Sequence, residues 1–437
     1  MFFLTAADVE RLNIRGSRDP LGLVPLWGDF GRKVVGNLTT ASNSVRGFTT
    51  LLLGLHFAER VANGEDDRGR VRLAAFLKFE QLAGFVRVIR NDDENMRGIT
   101  QIKRRLEDGG GRRIWIGSAP ELQILSNQKT YGLWGLFTIP AIESGLVVPK
   151  DLVLTPAARE LVDREYLPIL RTHGLGDGKL IEDLLSQSRS ELDPNGRHTK
   201  VVDALGKILS PVIRKRERDT YHYHLVLGGP KVKSSGWQPR FTALMEQSLS
   251  PTDEFDHESL GRVIAAAAKS EDDAPLRHHL ARIRDLESVL VALGNLFGFL
   301  QNRDGAKVRE VTAELNKTWG NGLRHIKPTA IEEMRTDVSR VYGDNASGER
   351  FVALAKSLQG GDFAASIDLV LAHNQFVMHA RHGAEPWIQR QGESLTVRYS
   401  DESQAPLMIP RQLATVWRSG FYINPLKLVS NELRRGA

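Results

Sequence analysis

The sequence predicts a mainly α-helical protein with minor β content. Three observations carry that reading. Apolar residues recur every three or four positions through most of the 437 residues. Helix-start signals stand ahead of many of these stretches. Period-two alternation is confined to a few short segments. The expected organisation is a helical part over 1–170, an irregular basic middle over 171–250, and a helical domain with one short strand region over 251–437.

The elements follow in order. Thr5-Ala-Ala-Asp8 gives an N-cap with an acid in the first turn, which favours a helix. Residues 17–42 hold Gly, Pro, Asn, Ser and Thr with little periodicity and predict a long loop. A helix is expected from Ser42 or Asn43 to about Ala62. The next runs from about Gly69 to Arg90, with Leu73, Phe76, Leu77, Leu82 and Phe85 on one face, and a third from about Met96 to Glu107. Arg113–Ile116 is a strand candidate. Ser118 with Glu121 three residues on is a capping box and predicts a helix to about Gln128. Residues 131–145 predict an apolar helix interrupted at Pro140. Leu152–Leu154 is a second strand candidate, and Thr155-Pro156 opens a helix through Glu165.

From 172 to 240 turn signals dominate (Gly174–Gly178, Asp193–Gly196, Gly228–Pro230), so little regular structure is expected. The main boundary falls between about 230 and 257. Beyond it helices are expected near 258–270, 274–302, 304–318, 328–342, 347–358, 362–382 and 424–435, with a strand at Glu393–Tyr399.

Composition narrows the function classes. Cysteine is absent, which excludes disulfides, Cys nucleophiles, iron–sulfur clusters and Cys-ligated zinc. The net charge of +6 permits an anionic partner without demanding one. The N-terminal MFFLTAADVERL has no basic n-region, and the runs Leu51–Ala58 and Ser288–Leu300 fall short of the roughly twenty residues a bilayer needs. The expectation is a cytoplasmic protein with no membrane contact.

Several cationic stretches are candidates for nucleic-acid contact. Lys103, Arg104 and Arg105 stand before a glycine loop, with Arg112 and Arg113 after it. Lys129 sits in a turn, and Arg214, Lys215 and Arg216 precede Tyr221-His-Tyr-His224. Lys231, Lys233, Trp237 and Arg240 mix cations with an aromatic, the combination that contacts phosphates and stacks on bases.

Hydrolase candidates are sparser. Arg216 and Arg218 precede His222 and His224 at spacings compatible with the Arg-x(4–6)-His of HEPN-type ribonucleases, but Glu217 and Asp219 replace the expected polar residues. His198-Thr-Lys200 and His325-Ile-Lys327 match the His-x-Lys core of phospholipase-D-type nucleases. His379 and His382 are one helical turn apart, without a carboxylate in an HExxH frame. There is no Walker A loop, Gly-x-Ser-x-Gly elbow or Rossmann fingerprint. The expectation is no catalytic residue, no metal and no cofactor.

Residues 118–161 resemble the winged-helix segment of MarR-type proteins: helix, turn, apolar helix, Gly145-Leu-Val147, short wing, then Leu154-Thr-Pro-Ala-Ala-Arg-Glu-Leu161. Ala158 stands where that family often has Gly, and the wing Val148–Asp151 lacks the usual basic tip. A second resemblance spans the chain. Asp19-Pro-Leu-Gly-Leu23, Asn37-Leu-Thr39 with Ser44-Val-Arg-Gly-Phe48, and His373-Asn374…Arg381…Pro386-Trp387 are similar to uncharacterised accessory proteins of bacterial phage-defence gene clusters. That resemblance implies a non-catalytic binding or adaptor subunit of a DNA-directed complex, with protein subunits as partners. The alternatives are a nucleic-acid hydrolase using the His222/His224 region and a stand-alone DNA-binding regulator.

Overall fold

The computed structural model describes residues 19–109, 113–231, 236–381, 383–400 and 406–435, and among them the fold is mainly helical. The helix start at Thr5–Asp8 lies outside the described residues. The chain divides into two compact units, one of Met1–Gly31 and Ser248–Phe421, the other of Arg32–Gln247 and Tyr422–Ala437. Their charges differ in sign. The second holds 36 Lys and Arg against 26 Asp and Glu, net +10, and the first holds 23 against 27, net −4, which together make the +6 of the whole chain. We call them the basic and the acidic unit.

Segment 17–42, expected as loop, contains helix α1 (Leu23–Arg32). The Asp19 carboxylate accepts the backbone N–H of Leu23 at 2.8 Å and of Val24 at 2.9 Å, which supplies the missing N-terminal partners. Leu26, Trp27 and Phe30 are buried one turn apart. Gly and Pro composition hid this apolar stripe.

In the basic unit, α2 (Val45–Val61) is buried on nearly every side. A helix apolar all round belongs in the middle of a core. Against it lies α3 (Arg68–Asn91), and the two approach at Gly54, where a Cβ would stand 2.8 Å from the Phe76 ring. The Phe57 and Phe79 rings stack at 5.7 Å. Next come α4 (Ile99–Asp108) and β1 (Ile114–Gly117).

The helix expected from Ser118 does not form. Pro120–Leu122 makes a single 3₁₀ turn, and Gln123 is extended. The Arg105 guanidinium donates to the carbonyls of Glu121, Leu122 and Gln123 at 2.9, 2.6 and 2.9 Å. Those acceptors are then committed to a side chain rather than to an i→i−4 ladder.

The short α5 (Gln128–Tyr131) and the apolar α6 (Leu133–Glu143), which carries Pro140 inside it, follow. Leu152–Leu154 gives only one antiparallel bridge, Val147↔Leu154. Thr155 caps α7 (Pro156–Leu161), which passes through a π turn at Val162–Tyr166 into α8 (Leu167–Thr172).

Residues 172–240, expected to be irregular, are largely helical. The turn signals are real, but short helices fit between them: α9 (Lys179–Ser186), α10 (Thr199–Ile208), α11 (Lys215–Tyr221) with a π turn at His222–Val226, and α12 (Trp237–Ser248). Strand β2 (Arg189–Leu192) pairs antiparallel with β1.

The acidic unit is built on α13 (His257–Ala267), α14 (Ala274–Leu300), α15 (Val308–Trp319), α16 (Pro328–Glu333), α17 (Arg335–Tyr342), α18 (Asn345–Gly360) and α19 (Phe363–Ala380). The helix expected over 328–342 breaks at Met334. The strand expected near 393–399 is β4 (Ser394–Val397), paired in a hairpin with β3 (Ile388–Gln391).

Two segments distant in sequence meet in this unit. His373 Nε2 lies 2.9 Å from the Leu21 carbonyl, Asn374 donates to the Pro20 carbonyl at 2.8 Å, and Arg381 donates to the Asp19 carbonyl at 2.5 Å. Asn374 Oδ1 also accepts the Trp387 N–H at 2.9 Å. The short α20 (Pro410–Leu413) follows, and the closing α21 (Ile423–Arg435) belongs to the basic unit.

One polar cluster sits in the core of the basic unit. Arg46 of α2 and Glu217 of α11 form an ion pair at 2.5 Å, with side chains only 2% and 0% exposed. Tyr166 OH donates to Glu217 at 2.7 Å, Thr49 Oγ1 at 3.3 Å, and Arg46 Nη2 reaches the Val212 carbonyl at 2.9 Å. Removing one partner strands a buried charge. Glu217→Ala is therefore expected to cost about 3–5 kcal/mol in urea unfolding. A loss below about 1 kcal/mol would show that the pair is not what joins these helices.

Candidate nucleic-acid interface

Strand β1 alternates. Ile114 and Ile116 are buried at 2% and 0% exposure, while Trp115 between them is 40% exposed. On β2, Ser190 and Leu192 are buried, and Arg189 and Glu191 take the other face. The register sets Trp115 opposite Glu191 and Gly117 opposite Arg189. The Arg189 guanidinium lies over the indole, 3.9 Å from the ring centroid. Arg113 pairs with Glu191 at 3.1 Å. The outward face of this small sheet thus presents an indole and two guanidiniums around one carboxylate. An exposed aromatic surface with flanking cations is what stacking on an unpaired base requires.

The sheet is held to the body by side-chain amides. Gln81 of α3 pairs with Gly117 as a strand would, donating to its carbonyl at 2.8 Å and accepting its N–H at 3.0 Å. Gln81 Nε2 also donates to Gln128 Oε1 at 3.1 Å, and Gln128 Nε2 donates to Glu80 Oε2 at 2.7 Å. Glu80 Oε1 accepts the Leu133 N–H at 2.6 Å. Burial pushes the Glu80 carboxyl up to about 7, against the two N–H donors that favour its ionised form.

The sequence-predicted cations are placed in three ways. Lys103, Arg104 and Arg105 lie on α4, ahead of the segment that leads to Arg113 and β1. Lys103 pairs with Glu94, Arg104 is exposed, and Arg105 is spent on the three carbonyls above. Arg214 and Arg216 converge on Glu165 at 3.4 and 3.8 Å, beside the exposed Lys215. Lys129 is exposed on α5, Lys231 ends a 3₁₀ turn, and half-buried Trp237 and exposed Arg240 lie on α12. Arg112 and Lys233 lie outside the described residues.

His224 and His198 serve the scaffold. His224 is 5% exposed, its Nδ1 lies 2.7 Å from the Ser144 carbonyl, and burial lowers its pKa. The π turn that carries it frees carbonyls from the helical ladder. Asn37 takes those of His224 and Leu225 at 2.9 and 3.1 Å, and Gln238 takes those of Leu225 and Val226 at 3.1 and 3.2 Å. Arg218 meanwhile donates to the Ile213 carbonyl. His198 Nδ1 accepts the Asp193 N–H at 3.0 Å, and Lys327 pairs with Asp285 at 3.0 Å. His382 lies outside the described residues. Among the described residues no group of three His, Asp or Glu is placed to hold a metal, and no helix is long and apolar enough to cross a membrane.

Sequence reasoning missed Trp115, Arg189 and Gln81. The alternation Ile-Trp-Ile carried the signal for Trp115. Arg189 needed the β1–β2 pairing, which no local pattern shows. No family model matches the chain, and no curated protein or solved structure was found to be similar to it.

Two outcomes follow from the amide chain. Gln81→Ala leaves both polar groups of Gly117 without their partner, so a loss of about 1–3 kcal/mol is expected, with faster hydrogen exchange at Gly117. An unchanged exchange rate would mean the sheet is held otherwise. Glu80 binds its proton more tightly folded, at about 7, than at the ordinary 4.5. Its contribution is present below about 4.5 and is lost as pH rises through about 7. His56 and His373, lowered to about 4 by burial, add a rise between about 4 and 6.5, so the readout is the difference in urea unfolding: Glu80→Gln should remove a falling contribution between about 4.5 and 7. Glu287, also pushed up to about 7 by burial, adds a slope of the same sign that Glu80→Gln leaves in place.

Proposed function

We propose that this chain is a non-catalytic nucleic-acid-binding adaptor, with the Trp115–Arg189 face as its stacking surface. The observation that carries the reading is the exposed indole under a guanidinium, 3.9 Å apart, on a sheet edged by Arg113. The charge distribution supports it. The sheet belongs to the unit of net +10, so phosphates are attracted to the unit that carries the aromatic. A second unit of opposite sign on the same chain supports the adaptor part, one unit for an anionic polymer and the other for proteins.

The resemblance of Asp19–Phe48 and His373–Trp387 to accessory proteins of phage-defence clusters supports a DNA-directed complex as the setting, and a cytoplasmic location goes with it. In this reading the winged-helix-like segment 118–161 is a packing element. Its apolar α6 sets Phe137 on Phe48 at 5.1 Å and Trp134 on Phe76 at 5.2 Å, both edge-on. A helix so engaged has little left for a major groove.

Anisotropy titrations with single- and double-stranded DNA and with RNA test the proposal. Affinity is expected to depend weakly on sequence and to fall steeply with salt. Trp115→Ala should weaken single-strand binding by about 1–3 kcal/mol. Arg104→Ala and Lys129→Ala should each reduce the salt slope by about one. Absence of binding at low salt, or full affinity in Trp115→Ala, would refute the assignment.

A further inference from the structure

A cavity of about 330 Å³ opens in the basic unit among α2, α3, α6 and residues 94–97. That is the lower end of the size range for metabolite sites. Its lining includes Glu80, Arg87, Met96, Phe137, Asn43 and Asn95. None of Arg113, Trp115, Arg189 and Glu191 lines it.

Glu80 is only 6% exposed, and a carboxyl buried there without a counter-charge holds a proton up to about 7, which a cation could displace. Two N–H donors hold it, from Leu133 and Gln128. Among the described residues no Lys or Arg forms an ion pair with it. Arg87, in the same lining, is committed to Asp93 through Nε at 2.9 Å and Nη2 at 2.7 Å. Among the described residues the cavity therefore has a buried carboxylate without an ion-pair partner, while its guanidiniums are Arg87, spent on Asp93, and Arg97, which is exposed. Phe137 and Met96 add apolar wall, and the exposed Asn43 and Asn95 add amides. An anionic ligand would meet Glu80 head-on. A divalent metal needs several oxygen donors, and Glu80, already accepting two N–H bonds, beside a Glu94 paired with Lys103 is a poor set.

We propose that this cavity binds a small molecule through a cationic nitrogen, a primary ammonium or amidinium, with Glu80 as counter-ion. Phe137 and Met96 pack the ligand's alkyl part, and Asn43 and Asn95 meet its polar end.

Calorimetric titration of the full chain with butylammonium and with agmatine tests this, with 1-butanol as the uncharged isostere. The expected result is that both cations bind and butanol does not, and that Glu80→Gln weakens the cations by at least about tenfold. If Glu80→Gln fails to fold, Asn43→Trp at an exposed position should close the cavity with Tm unchanged and cause a similar loss. The proposal is overturned if butanol binds as well as butylammonium, if folded Glu80→Gln or Asn43→Trp binds as tightly as the parent chain, or if neither cation binds up to about 10 mM.

Discussion

The basic unit depends on an ion pair buried away from solvent. Arg46 and Glu217 come from helices far apart in the chain, and each would be costly to bury alone. Their geometry obliges the rest. Glu217 takes donors from Arg46, Thr49 and Tyr166, so α2, the π turn after α7 and α11 must arrive together. The widened turn at Val162–Tyr166 carries Tyr166 at its end. The neighbouring Arg214 N–H also bonds Glu217, at 3.3 Å, and that ties the start of α11 to the same carboxylate. An apolar cluster of the same volume would tolerate sliding, whereas this one specifies a single register.

Much of the helical framework was legible because long helices carry a periodic stripe. α2, α3, α14, α18 and α19 stand where apolar spacing predicts them. The failures share a cause: side chains distant in sequence decide which backbone groups are free. Arg105 withdraws the carbonyls after Ser118, so a sound capping box opens no helix. Asp19 supplies a cap that composition could not weigh, and α1 forms inside an apparent loop. The middle segment read as irregular because its glycine turns were conspicuous and its helices short. Glu80 was visible in principle as an acid among Phe76, Leu77 and Phe79, but its cavity was not. The cations were visible as residues, whereas their partners Glu94, Glu165 and Glu191 were not.

Charge illustrates the same limit. A net +6 over the whole chain is unremarkable, yet it is the residue of +10 in one unit and −4 in the other. The partition follows chain crossings at Gly31, Gln247 and Phe421, which split α1 from most of its unit and return α21 to the basic one. A linear window cannot see a unit assembled from two separate segments. The field an anionic polymer meets is set by the assembled unit and not by the average.

Side-chain amides do the work of backbone in this fold. Gln81 stands in for a strand at Gly117, and Asn37 and Gln238 stand in for the helical donors that the π turn at His222–Val226 gives up. For the sheet this has a kinetic meaning. Trp115 waits for Glu191 and Arg189, and the whole stretch between must close as a loop before the two strands can meet. The helix pair α2–α3 is local and can form early; the indole–guanidinium face cannot. A nascent or partly opened chain shows Trp115 on a lone strand, without its guanidinium. The face is thereby a late product of folding, present on finished molecules and missing from those still being made.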